Sequence, residues 1–190
     1  MTTVDTTSDA PAARPSMLPT ALIGLAFLVV AIVFAASSSW YATFMTVHVL
    51  FVVIWLGGGA LLTLFGILAE RARDGAQLAQ IAKMASFAGE RIFAPSGLIV
   101  LAMGIAMVIN ADLGFGHFWI IFGLLGFLAT FVIGMAVLGP RAKKLAVLLA
   151  EQGPDTPETQ AAIGQILLIA RADIAMLLLV VVDMVTKPFS

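Results

Sequence analysis

The sequence predicts an all-α fold, a polytopic membrane helix bundle of five transmembrane helices with short amphipathic helices between them. Three observations carry this. Of the 190 residues, 61% are hydrophobic and only 11% are charged, whereas a soluble domain is about 45–50% apolar and about 25% charged. The apolar residues gather in long runs, and about 20 such residues in a helix cross a bilayer. The cations fall on one set of connections between those runs, as the positive-inside rule requires.

Residues 1–16, MTTVDTTSDAPAARPS, are polar and rich in Thr, Ala and Pro. They bury too little to offset the entropy of ordering and are expected to form a disordered tail. A single membrane domain then occupies residues 17–190. Its first span covers about 17–36. The run exceeds the apolar region of a signal peptide, about 7–15 residues, and Asp5 and Asp9 outweigh Arg14 before it, so a retained span is expected. SSSWY turns the chain into a second span, about 41–69. At 1.5 Å per residue this measures on the order of 43 Å, against about 30 Å of hydrocarbon, so it tilts or enters the interface.

Glu70 to Arg91 is polar and broken by Gly75. Leu78, Ile81, Ala82, Ala85 and Phe87 give it the pattern of a short helix lying on the membrane surface. The third span, about 92–109, holds Pro95 in its first turn. After the turn NADLGFG, the fourth covers about 117–138 and ends at Gly139–Pro140, which reads as a stop signal. A short basic helix follows, closed by Gly153–Pro154. Thr156, Pro157 and Glu158 then supply an N-cap, a proline at the first helical position and an acid in the first turn. The helix begun there is expected to enter the membrane near Ala172 and to leave it near Lys187–Pro188, a span of about 172–187.

An N-in, C-out arrangement places Arg14, Arg71, Arg73, Lys83, Arg91, Arg141, Lys143, Lys144 and Arg171 inside and only Lys187 outside. Trp40, Tyr41, Phe118 and Trp119 then fall at the outer boundary, where aromatic rings are favoured. The expected host is a bacterial-type inner membrane. A net charge of -1 with no basic tract excludes a nucleic-acid footprint. The absence of Cys removes disulfides and thiolate chemistry. There is no Walker loop, no HExxH and no nucleophile beside a base, and the loops are too short for a soluble catalytic domain. Any chemistry must lie between helices, and an enzyme is the less favoured class.

Ionisable side chains in hydrocarbon are costly and therefore informative. His48 and Asp183 are expected at comparable depth in the outer half, where a direct pair would fix the imidazole tautomer. Met45, His48, Val52, Trp55 and Gly59 form one helical stripe. Imidazole with thioether suits haem iron or copper, so His48, Met45, Trp55 and Asp183 are the candidate cofactor site. Met103, Met107, Met176, Met184 and His117 are possible further ligands. The bland readings stand beside these: His48 as a hydrogen-bond donor between helices, the methionines as packing and His117 as a boundary residue. Gly57–Gly58–Gly59 permits close approach of a helix or a flat cofactor. Glu90, Arg91, Arg171 and Asp173 are expected to exchange ion pairs at the inner boundary.

HVLFVVIWLGGG, His48 to Gly59, resembles the first helix of a family of bacterial integral membrane proteins, domain of unknown function 2269. DMVTKP, Asp183 to Pro188, resembles that family's closing segment. Gly139–Pro140–Arg141 and Arg91 with Pro95 also fit. The resemblance covers roughly Tyr41 to Pro188 and implies four spans, leaving the first as an addition. His48 with Trp55-x-Gly57–Gly58 is more distantly similar to copper-resistance membrane proteins of the CopD type and to haem-dependent protoporphyrinogen oxidase, a likeness that implies His48 as ligand. Three roles remain open: a haem or copper protein, an accessory subunit of a larger membrane assembly or a homo-oligomer, and a small proton-coupled transporter using His48 and Asp183.

Overall fold

The computed structural model describes residues 18–189; the disordered tail expected over residues 1–16 lies outside them. α1, Leu18–Ala36, is 19 residues long, carries no charged side chain and belongs to a compact unit of its own. The second unit begins at Trp40 and holds α2 (Trp40–Ala72), α3 (Gly75–Ala88), α4 (Ala94–Asn110), α5 (Phe118–Val132), α6 (Gly139–Glu151) and α7 (Pro157–Thr186).

These six helices make four continuous rods. A π-helical segment, Gly89–Phe93, joins α3 to α4, and a second, Ile133–Leu138, joins α5 to α6. The rods Trp40–Ala72, Gly75–Asn110, Phe118–Glu151 and Pro157–Thr186 have 33, 36, 34 and 30 residues, each long and apolar enough to cross a membrane. Large apolar side chains such as Val53, Leu98, Leu125 and Val182 stand more than half exposed on their outer faces, which suits lipid rather than water.

Two expectations are corrected here. The stretch after Glu70 is not a separate surface helix, and Gly139–Pro140 does not end the fourth helix. Both prolines directly follow a π turn. The N–H of Ala94 bonds the carbonyl of Gly89 ahead of Pro95, and the N–H of Gly139 bonds that of Gly134 ahead of Pro140. A proline inside a regular α-helix loses an i→i−4 bond, and its ring strikes the carbonyl four residues back. Widening the preceding turn by one residue shifts the ladder and lets the helix pass through.

The termini obey ordinary rules. Thr156 caps α7 by accepting from the Thr159 N–H at 3.3 Å, as the sequence predicts. The helix ends where Lys187 turns left-handed at φ 46° and donates to the Asp183 carbonyl at 2.8 Å. Asp74 caps α3 through the Gln77 N–H. At the same end of the unit, a Cβ on Gly75 would lie 2.6 Å from Pro154, so the α2–α3 and α6–α7 turns press directly together.

Buried side chains form three groups along the bundle. Ala69, Leu78, Leu145 and Ile163 pack beside those turns. Trp55, Val100, Phe127 and Leu177 form the second group, and Val108, Trp119 and Ile120 the third. α2 packs on α4 and α7, α3 on α6, and α5 on α7. Gly97 admits the Phe131 ring: a Cβ there would stand 2.6 Å from it.

Candidate functional site

His48 is held by α2 against α4. Its Nδ1 lies 2.8 Å from the Val100 carbonyl oxygen. A carbonyl only accepts, so Nδ1 carries the proton and donates. Gly104 leaves room for the ring; a Cβ there would come within 3.3 Å of the imidazole Cε1. The arrangement is a link between helices, of the kind that contributes about 1 kcal/mol in a membrane.

Among the described residues, no hydrogen bond joins His48 to the other residues of the expected site. Met45 is 41% exposed. Trp55 is buried, with its ring centroid 4.8 Å from that of Phe127 and 6.1 Å from that of Phe131, both edge-on. Asp183 is 5% exposed, and both its carboxyl oxygens are buried without a hydrogen-bond partner among the described residues. The direct His48–Asp183 pair is therefore not made. Met184 and Met176 reach toward Gly123 and Gly126 of α5, where they pack. His117 precedes α5 and is exposed, its ring centroid 6.5 Å from that of Trp119. Among the described residues no three His, Cys, Asp or Glu side chains come together as a metal-binding group.

The charged residues near the basic turns are also arranged differently from expectation. Glu90 pairs with Lys143, and Arg171 pairs with Glu70 at 3.6 Å. The first of these links the two π-interrupted rods. Asp173 takes no part. It lies near the midpoint of α7, 9% exposed, with Oδ1 buried and unpaired.

Asp173 lines a cavity of ≈150 Å³ formed by α2, α3, α5, α6, α7 and the two π segments. Gly59, Phe93, Phe131, Gly134 and Leu177 contribute to its wall, and Asp173 is the only charged residue among those lining it. The triple glycine of α2 helps to shape this region: a Cβ on Gly58 would meet Phe93 at 2.8 Å, and one on Gly59 would meet Ile174 at 3.4 Å. An apolar pocket with one convergent polar group is the usual form of a small-molecule site. An unpaired carboxyl in such a place needs a partner or carries a cost of a few kcal/mol.

Residues 42–188 match the family model described as "Predicted integral membrane protein (DUF2269)". The chain belongs to this family. The match contains every residue lining the cavity of this DUF2269 member, together with His48 and Asp183, and leaves α1 outside. No curated protein and no solved structure matches the chain, so the likeness of the His48 stretch to copper-resistance and protoporphyrinogen oxidase proteins rests on that short motif alone.

Sequence reasoning missed Asp173 because it stands two residues from Arg171 and reads as part of a boundary cluster. One signal was available. If the helix capped by Thr156 continues without interruption, Asp173 falls some 25 Å along it at 1.5 Å per residue, in the middle of the rod.

Proposed function

We propose that this DUF2269 protein is a small membrane carrier that takes a compact, mostly apolar solute into the cavity at Asp173. Among the roles left open by the sequence, this keeps the transporter and moves its centre away from His48 and Asp183. The reading rests on one observation: a buried carboxyl with an unpaired oxygen at the wall of an otherwise apolar cavity. Intramembrane carboxyls that lack a structural partner mark solute and ion pathways. The two π segments beside the cavity support the same reading, since such turns recur at functional sites and interrupted helices frame the solute sites of carriers.

In the membrane, α1 serves as a fifth span. The end bearing Arg71, Arg73, Lys83, Arg141, Lys143 and Lys144 faces the cytoplasm, and Lys187 faces outward, in a bacterial inner membrane. Asp183 lies about 15 Å beyond Asp173 along α7 at the helical rise, also on its buried side. It provides a second polar station toward the outer face.

The test compares uptake of a panel of labelled small solutes into membrane vesicles carrying wild type, Asp173→Asn or Gly134→Leu. Gly134 lines the cavity, and a Cβ there meets nothing within 4 Å, so a side chain at this position narrows the space without an initial clash. Faster uptake of at least one solute by wild type is expected. Equal uptake by all three, with equal amounts of folded protein, counts against a carrier.

A further inference from the structure

We infer that the cavity at Asp173 recognises a protonated amine carried on a small apolar body. The inference rests on the carrier reading for the cavity and adds the chemistry of its guest. Asp173 is nine-tenths buried, lines the cavity and has an unpaired oxygen within the protein. No Lys, Arg or His is among the residues lining the space. Of the cations close by in sequence or beside the π segments, Arg171 pairs with Glu70, Lys143 with Glu90, and Arg141 bonds Gln165, while Arg91 of the first π segment is exposed and does not line the space. A buried carboxyl left this way holds a proton until a cation reaches it, and a guest that brings an ammonium supplies that cation.

The walls fit the same class. Trp55, Phe93 and Phe131 line the space, and aromatic faces attract cations most strongly when water is excluded. Their neighbours are aliphatic or glycine apart from Thr63, so the rest of the guest is apolar. A cavity of ≈150 Å³ is the size that accepts one benzene-like ring. An aralkylamine satisfies both demands.

Full-length protein in phosphatidylglycerol nanodiscs is titrated with 4-fluorobenzylamine and with the neutral 4-fluorobenzyl alcohol, followed by fluorine NMR against empty discs. Wild type is expected to bind the amine tighter than the alcohol by on the order of tenfold or more, the factor supplied by a charge-assisted hydrogen bond. Asp173→Asn removes the difference and Asp173→Glu retains part of it. Because the amine–alcohol comparison on wild type needs no variant, a misfolded mutant does not decide the result. Competition by added phosphatidylethanolamine, whose ammonium is carried beside a phosphate, counts against an apolar amine as the guest; its absence upholds the inference. Equal binding of amine and alcohol overturns it while leaving the carrier reading in place. Failure of both probes to bind wild type overturns it as well. If Gly134→Leu also leaves solute uptake unchanged, the carrier reading falls with it.

Discussion

The N–H of Gly139 donates to the carbonyl of Gly134, one residue further back than an α-helix reaches, and the next residue is Pro140. The same relation holds between Ala94 and Gly89 ahead of Pro95. In each case the extra residue of the wide turn is what allows a proline to stand in the interior of a rod.

Deletion of Ala136 should therefore be costly only while the proline is present. Closing the turn to a regular ladder forces the Pro140 ring against a carbonyl, a loss of about 3 kcal/mol. The same deletion combined with Pro140→Ala is expected to recover most of that loss. Unfolding of the purified variants in detergent measures both, and an equal loss in the single and double variants would refute the compensation.

His48→Ala should cost about 1–2 kcal/mol, the sum of one inter-helix hydrogen bond and the packing lost beside Gly104. His48→Phe keeps the packing and should cost less. A purified wild type showing a Soret band or stoichiometric copper that vanishes in His48→Ala would instead revive a ligand role.

Asp173→Leu is expected to stabilise the folded protein by about 1–3 kcal/mol, because an unpaired buried carboxyl is removed. Stability given up at a binding position is a common trade. A marked loss of stability in this variant would mean that the carboxyl has a partner in the membrane.

Two glycine substitutions should separate according to what they meet. In Gly97→Ala the new methyl stands 2.6 Å from the Phe131 ring, which is wedged beside Trp55, and a loss of about 1–3 kcal/mol is expected. In Gly123→Ala the methyl meets the tip of Met184, a flexible end that swings aside at smaller cost. Thermal unfolding of the pair decides whether the ring is as fixed as its surroundings imply.

Much of the fold was legible because it depends on local chemistry. Thr156 before Pro157 fixes a helix start whatever surrounds it, and long apolar runs have few other uses. The passage of two helices through Pro95 and Pro140 was not legible, because the rule that a proline stops a helix presumes a 3.6-residue ladder. Nothing local announces a wider turn. The site was legible only in kind: intramembrane polar groups do face the interior, yet which of them meet depends on packing between rods. His48 found a backbone carbonyl, and Asp183 found no hydrogen-bonding partner among the described residues. Asp173 was hidden by its neighbour Arg171, whose side chain turns to Glu70.

Pro154 fills the place that a side chain on Gly75 would take, and this joins the loop after α2 to the loop before α7. The four rods are thus clamped together at their basic end, like the joint of a pair of tongs. The turn between α4 and α5 at the other, aromatic end has no such lock: Cβ atoms on Gly114 and Gly116 would meet nothing within 4 Å, and there Lys187 rests over the Trp119 ring.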